Sequence, residues 1–576
     1  MDASSRGYSV VLLEKFDFCK GTSSRSTKLI HGGVRYLEKG QISLVYEALK
    51  ERDILIKNAP HLVKQVGFLI PVYNYFLKFY YFFGLKIYDF ISGNLSFEKS
   101  RTVNRESAIK LVPNVEKQKL KGGVVYFDGQ FDDSRLGIDI ALTSEINNAV
   151  LINYMSVESL IKENGKIKGV VATDTVSNNI YSIRGNNIIN ATGVFSKSIM
   201  DMDSNKFKSV IRPSQGVHLV VDKTFLKGKF GILVPKTSDG RVLFAVPWLD
   251  NVIIGTTDSV VDKPTFNPVA TQIEIDFILE NLKNYLEFYP KRKDIKSVFV
   301  GLRPLVASNL NSKSKDLSRK HKILVSESGL VSVIGGKWTT YRKIAEDALN
   351  TAISIKKLKK KKCRTERKKL YGFKKNVDWS DPMHVYGSLK KKVKSLGSTS
   401  DNKSLSKKFY ISNNIIEWSI IHEMALTVED ILARRTRCVF LDSKESKRIA
   451  PVVAQKMADV LGEDDKWIDA ELKKFNKLIK KSNYKKRYSK IKKFNLNNKY
   501  LKKGISITPV KFGISFTTQL LNQAGALVNI YKDGSIYINH GGTEMGQGLF
   551  IKVAQVVANE FGVNLERVKV SATSTA

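Results

Sequence analysis

The sequence predicts an α/β chain built on a parallel-sheet core, and three observations carry that prediction. Tyr8-Ser-Val-Val-Leu-Leu-Glu14 is a continuous apolar run ending in an acid, the pattern of a parallel strand buried on both faces. Ile188-Ile-Asn-Ala-Thr-Gly193 is a second such strand, buried and stopping at small residues. Gly335-Gly-Lys-Trp-Thr-Thr340 marks a third strand end, with a helix starting near Thr339–Thr340.

The bulk properties bound the rest. With 576 residues, 42% hydrophobic and 10% aromatic, the chain is long enough for several domains around a large core, and its composition is not that of a disordered protein. The three cysteines, Cys19, Cys363 and Cys438, lie far apart. They make neither a metal-ligand spacing nor a disulfide framework, so a reducing, intracellular compartment and no metal site are expected. Polar Met1–Gly7 and the short Tyr8–Leu13 run do not make a signal peptide. No stretch reaches the roughly 18 apolar residues of a spanning helix. Phe76–Ile91, rich in Phe and Tyr but interrupted by Lys78, Lys86 and Asp89, fits either a helix in a membrane interface or a core helix under a cap. The net charge of +40 fits either an anion-binding surface or a general lysine bias. The spread of lysines along the whole chain favours the bias. They are densest in Lys356–Lys369, around Lys390–Lys394 and in Lys473–Lys503.

Taken in order, the segments suggest a cofactor site. In a dinucleotide-binding fold an acid at the end of the second strand holds the ribose, about 20 residues after a glycine-rich turn. Glu14 stands too near Met1 for that turn to follow residue 1, so the first strand and its turn are expected before Met1, with Met1–Gly7 as a helix tail. An ordinary amphipathic strand is the alternative. Gly21-Thr-Ser-Ser-Arg-Ser-Thr-Lys-Leu-Ile-His-Gly-Gly-Val-Arg-Tyr-Leu37 is dense in hydroxyls, glycines and cations, groups that approach a phosphate closely. The acids in Tyr126–Leu136 read as structural acceptors. Val157–Ile161, Asn164-Gly165 and Ile167–Thr173 read as a hairpin. Arg212-Pro-Ser-Gln-Gly-Val-His218 carries a lone histidine before an apolar run, on its own more often a structural residue. Pro247-Trp248, Ile253–Asp258, Gly301-Leu-Arg-Pro-Leu305 and Ser318-Arg-Lys-His321 follow. In Glu423–Arg437, Thr427 is placed to cap a helix through Leu432, and an Arg-rich regulatory site is the alternative.

Gly21–Leu37 resembles, almost residue for residue, the second FAD-contacting segment of the FAD-dependent glycerol-3-phosphate dehydrogenases. Asp2–Gly7 is similar to the last part of that family's N-terminal signature, and Gly335–Ala345 matches its second signature at every fixed position. The resemblance runs to about residue 478. It implies an FAD/NAD(P)-type Rossmann-like domain with a mixed-sheet substrate cap, the two-dinucleotide-binding-domain flavoprotein fold, over residues 1–354 and a helical C-terminal domain over 355–481. It implies FAD, held by Glu14, Thr22, Ser23, Ser24, Ser26, Gly32, Gly33, Ala191, Thr192, Gly193, Thr257, Asp258, Gly336 and Thr339. It implies glycerol 3-phosphate as substrate, bound by Arg35, Tyr36, Arg303, Arg319 and Lys337, with His218, Arg303 and Lys337 catalytic. Lys320 stands where the family usually has an acid, which leaves the local charge pairing open. The family's dehydrogenases pass electrons to quinone and related oxidases to oxygen. The basic surface and Phe76–Ile91 tilt this chain towards a cytoplasmic, peripherally membrane-associated dehydrogenase. The resemblance also admits a homodimer.

From about Ser482 the similarity changes. Lys503–Phe516 and Asn539-His-Gly-Gly-Thr-Glu-Met-Gly-Gln-Gly-Leu549 resemble the molybdenum-binding subunit of xanthine dehydrogenase, in which the Met-Gly-Gln-Gly turn touches molybdopterin. Gln547 would be that contact, and Ser571–Ala576 begins another cofactor loop. Residues 482–576 are expected to form a partial α+β unit without xanthine-oxidising activity. Two further readings are a catalytically inactive chimeric fragment holding FAD weakly, and a basic membrane- or nucleic-acid-binding protein. The informative cations sit in glycine-rich turns rather than interleaved with aromatics on one face, which argues against nucleic acid.

Overall fold

The computed structural model describes residues 1–37, 40–93, 97–204, 211–306, 321–482, 526–540 and 548–571. Parallel pairing at the two apolar runs is present, in two pieces. Strand β1 (Val10–Leu13) pairs in parallel with β6 (Ala149–Ile152). Strand β10 (Ile189–Asn190) pairs in parallel with β18 (Val331–Ile334), which pairs antiparallel with β17 (Lys322–Val325). No described strand joins the two pieces. Their expected burial is therefore corrected: Val11 is 48% exposed, Leu12 43% and Ile189 39%, because the layers that would cover a continuous sheet are incomplete around them.

A ten-stranded mixed sheet forms the cap. Its main path runs β15 (Ser259–Val260), β11 (Ile211–Asp222), β14 (Asn251–Gly255), β13 (Leu243–Trp248), β12 (Gly231–Val234), β3 (Val63–Pro71), β5 (Gly123–Phe131) and β2 (Leu29–Ile30). Strand β16 (Ser297–Val306) adds to β11, and β4 (Arg101–Val103) to β5. Leu69, Val125, Val217, Leu219, Ile232 and Ile254 pack from this sheet against Ile275, Ile278 and Leu282 of the helix Gln272–Lys283. Thr271 and Glu274 start that helix with a reciprocal capping box. The predicted hairpin joins β7 (Met155–Glu163) to β8 (Lys166–Asp174). Asn164 (φ 49°) and Gly165 (φ 72°) make its two-residue turn, both left-handed as a tight hairpin turn demands.

The helix Tyr75–Ser92 starts at Asn74, whose side chain accepts from Phe76 N at 2.8 Å. Only Leu85, Tyr88 and Ser92 of it are buried, whereas Phe76 is 76% exposed and Phe90 87%. It is a surface helix with an aromatic outer face, not a core helix.

The helical region is joined to the strands around β1 by buried charge. Thr427 Oγ1 accepts from Asp430 N at 3.2 Å, the expected cap, but the helical turns run past Leu432 to Arg435 with π spacing over Asp430–Arg435. Arg434 and Arg435 both bind Asp17, just beyond β1, with Arg435 Nη1 at 2.8 Å and Nη2 at 2.9 Å. Arg135 reaches both oxygens of Glu423 at 2.8 and 2.7 Å and Asp139 at 3.0 Å, and Asp139 meets His61 at 3.0 Å. Arg437 pairs with Asp132 at 2.9 Å. These groups are all buried. Each of these arginines is paired with a buried carboxylate, so the segment is a structural clasp rather than an Arg-rich regulatory site. Removing one member of such a buried pair costs about 3–5 kcal/mol.

Residues Met1–Ser489 form one compact unit and Lys490–Ala576 a second. In the second, β19 (Ala526–Ile530) and β20 (Ile536–His540) form an antiparallel pair, and β21 (Val568–Val570) adds in parallel to β20. The helix Leu549–Glu560 covers one face, setting Ala554 and Ala558 on Ile536, Ile538 and Val568. Gln547 lies outside the described residues, as do Arg319 and Lys320.

Candidate active site

One segment, Thr22 to Tyr36, is the spine of the site, and most of the other candidate residues reach it. Thr22 Oγ1 donates to Leu302 O at 2.6 Å, next to Arg303. Trp338 Nε1 donates to Ser23 O at 2.8 Å, next to Lys337. Thr27 Oγ1 lies 2.8 Å from His218 Nε2. Thr339 Oγ1 donates to His31 O at 3.4 Å, and the Lys337 ammonium sits 4.4 Å from the centre of the Tyr36 ring. Gly33 (φ 83°) makes this compact, since a Cβ there would stand 2.3 Å from the Tyr36 ring. Arg35 lies in the short 3₁₀ turn Val34–Tyr36. Ser24 and Ser26 face inward: Ser24 is buried, and Ser26 donates to Asp133 from both N (3.0 Å) and Oγ (2.7 Å).

The cap sheet presents His218 and Arg303 by register. His218 on β11 faces Gly255 on β14 and Phe299 on β16. A Cβ at Gly255 would lie 2.3 Å from the imidazole Cδ2, so glycine is needed for the ring to lie flat. The Phe299 ring stacks on the imidazole at 4.7 Å and 11°. Nδ1 has no hydrogen-bond partner among the described residues. Burial holds the His218 pKa well below the ordinary histidine value, and the charges of Arg303 and Lys28 push it the same way. The imidazole is neutral at neutral pH, the state a proton acceptor needs.

Arg303 on β16 stands opposite Ser214. Its Nη1 donates to Thr257 O at 3.0 Å and Nη2 to Thr256 Oγ1 at 2.9 Å, with Asp258 Oδ1 at 3.5 Å. Asp258 also accepts from Ser214 Oγ. Thr257 is buried, taking Val217 N at 3.0 Å and donating to Glu274 at 3.1 Å. Thr256 and Thr257 thus fix the guanidinium plane, with the Asp258 carboxylate beside it.

Predicted cofactor contacts stand at the C-terminal ends of three parallel-paired strands, where dinucleotides bind in open α/β sheets. Glu14 follows β1. Burial raises its carboxyl to about 7, only partly offset by the bond from Phe16 N at 3.2 Å. A half-buried carboxyl that short of donors fits a ribose diol. Ala191 and Thr192, exposed after β10, and Gly193 (φ 60°, with open space about it) leave backbone accessible to a flat ring system. Gly335 (φ 75°) and Gly336 (φ 87°) turn β18 into the helix Tyr341–Ile355. These residues fit a bound FAD.

Sequence reasoning missed Thr27, Lys28, Thr256, Phe299 and Tyr88. All but Phe299 stood inside segments already singled out: Thr27 and Lys28 in Gly21–Leu37, Thr256 in Ile253–Asp258 and Tyr88 in Phe76–Ile91. Only the register of β11, β14 and β16 shows which neighbour meets His218.

Comparison with known proteins agrees with this geometry. A family model described as FAD dependent oxidoreductase matches residues 1–342, and one described as C-terminal domain of alpha-glycerophosphate oxidase matches 332–468. Residues 477–576 match a molybdopterin cofactor-binding domain. The mitochondrial glycerol-3-phosphate dehydrogenase of Mesocricetus auratus is 36% identical over 518 residues, covering 83% of this chain and 71% of that protein. The corresponding enzyme of Schizosaccharomyces pombe is 35% identical over 540 residues, covering 81% and 83%. The solved glycerol-3-phosphate dehydrogenase of Bacillus halodurans, complexed with FAD, superposes with a TM-score of 0.68 at 27% identity, covering 84% of this chain and 91% of that one.

Proposed function

We propose, for a chain that belongs to the FAD-dependent glycerol-3-phosphate dehydrogenases, that it oxidises sn-glycerol 3-phosphate to dihydroxyacetone phosphate. One observation carries the reading: a neutral buried histidine, a rigidly held arginine and a lysine all gather on the single turn-rich segment Thr22–Tyr36. Bound FAD supplies the two-electron acceptor for the hydride leaving C2.

The protein's own groups do the rest. The substrate carries a dianionic phosphate, and Arg303, its plane fixed by Thr256 and Thr257, is a preformed fork for one. Arg35 is assigned to the same end of the substrate, and Arg319 to the substrate pocket. Lys337, set against the Tyr36 ring, supplies the field for the alkoxide that develops as the hydroxyl proton departs. His218 takes that proton, at Nδ1, with Nε2 anchored on Thr27.

The electrons pass on to a quinone at a membrane surface. No helix of the described residues is long and apolar enough to cross a membrane. The helix Tyr75–Ser92 instead offers Phe76, Phe79, Phe83 and Phe90 outward, and Lys86 and Lys121 lie 5.1 and 5.6 Å from the Phe82 and Tyr75 ring centres. Aromatics flanked by cations suit an anionic lipid interface, which supports the reading of a peripherally membrane-associated, cytoplasmic enzyme.

The test is a spectrum. Purified protein with bound flavin bleaches its visible flavin band on anaerobic addition of glycerol 3-phosphate, and His218→Asn slows that bleaching. A flavin band that persists unchanged with excess substrate overturns the assignment.

A further inference from the structure

We propose that Lys28 is a positioning residue for His218: a buried cation, caged by three rings, that fixes the Thr27 hydroxyl and the Phe299 face on the imidazole. This rests on the reading of His218 as the proton acceptor, and it names a device that reading does not require.

The lysine is fully buried, at 0% exposure. Its Nζ donates to Asp133 Oδ1 and to Ser24 O, both at 2.6 Å. The Trp248, Phe299 and Phe440 ring centres stand 5.4, 5.2 and 5.3 Å from it, within cation–π range. Its backbone is left-handed (φ 62°), a conformation a lysine keeps only where the surroundings demand it. Burying an ammonium is costly, and here Asp133, Ser24 O and the three ring faces offset that cost.

Two connections run from this cage to the imidazole. Thr27 precedes Lys28, so anchoring the ammonium anchors the hydroxyl held 2.8 Å from Nε2. Phe299 shares its ring between Lys28 and His218. The charged groups about the imidazole are Arg303 with Asp258, and Lys28 with Asp133. The Asp132–Arg437 pair adds its field at Lys28. Both charges felt directly by His218 are positive, so Lys28 keeps the imidazole in its proton-accepting form as well as in place.

Isotope-labelled histidine in the flavin-bound protein tests this, the His218 signal being the one lost in His218→Asn. Lys28→Met paired with Asp133→Asn removes the ammonium without stranding a carboxylate. Lys28→Gln with Asp133→Asn, which keeps an N–H for Ser24 O, serves the same purpose should the first pair not fold. The ammonium and the imidazole stand 5.2 and 4.7 Å from the shared Phe299 ring centre, so they are about 10 Å apart at most. Loss of a lone charge at that range would raise the His218 pKa by about one unit; with Asp133 neutralised as well, a smaller upward shift is expected. Lys28→Arg leaves it unmoved. A His218 titration identical in the wild type and a folded neutral pair overturns the proposal. The acid limb of kcat/KM separates the two claims. If it moves up with the titration, both stand. If the titration moves and the limb does not, Lys28 controls His218 but His218 is not the proton acceptor.

Discussion

Tyr88→Phe isolates what the outer aromatic helix does for the substrate side of the site. Tyr88 is one of three buried residues on that helix, and its hydroxyl accepts from Gly32 N at 2.9 Å while donating to Asp128 Oδ2 at 3.1 Å. Asp128 keeps Arg52 at 2.6 Å whether or not the hydroxyl is present. The loss therefore falls on the Gly32 N–H, left buried without its acceptor, at a cost of about 1–3 kcal/mol. Gly32 has no slack to compensate, since a Cβ there would stand 2.4 Å from the Tyr88 oxygen. The strain is relieved by movement of the turn that carries Arg35 and Tyr36. If one or two kcal/mol of preorganisation disappears, kcat/KM for glycerol 3-phosphate falls by about 5- to 30-fold. Most of it should be in KM, because His218 and Arg303 are held by the cap sheet. Steady-state rates with an artificial dye acceptor across a substrate series measure the split, with a melting curve alongside. An unchanged KM in a protein that has lost stability would show that the turn does not depend on this hydroxyl, and the reasoning fails.

Other outcomes follow from the same geometry. Arg135→Met strands Glu423 and Asp139 and should lower the unfolding free energy by about 3–5 kcal/mol, read by denaturant titration. A loss under 1 kcal/mol would mean that the buried network is not carrying charge. Glu14, with its carboxyl raised to about 7 by burial, stays largely protonated at pH 6.5. Ribose hydroxyls donating to it favour the ionised form, so FAD binding at that pH should release a proton. Titration calorimetry in buffers of different ionisation heat would show this, and Glu14→Gln should abolish it. Phe83→Glu with Phe90→Glu should weaken binding to anionic lipid vesicles by about tenfold or more, since each ring leaves an apolar contact. Equal sedimentation with vesicles would rule that helix out as the contact. Stability should also depend on pH through Asp17, whose carboxyl Arg435 and Arg434 hold below the ordinary range. That contribution is present above the unfolded pKa and is lost as pH falls through the folded one.

Local chemistry was the legible part of the sequence. Asn164-Gly165 announced its hairpin because only residues tolerant of positive φ close a two-residue turn, and Gly335-Gly336 announced the turn after β18 for the same reason. The arginines near residue 435 could be seen but not interpreted: Asp17, which decides their role, is 417 residues from Arg434. Thr27 on His218 was hidden likewise, because it depends on how three cap strands align with a turn near the start of the chain. The burial expected of Val11 and Leu12 failed for a different reason. An apolar run signals that a strand prefers cover, and the cover itself comes from other elements.

The clasp of Arg135, Arg434 and Arg435 makes the helical region a keystone rather than an appendage. A hinge between it and the core would have to tear several carboxylates from their arginines at once, so opening and closing during turnover must be sought elsewhere. A protease nick in the lysine-rich connection Lys356–Lys369 would leave two pieces that travel together through a sizing column and come apart only when both melt.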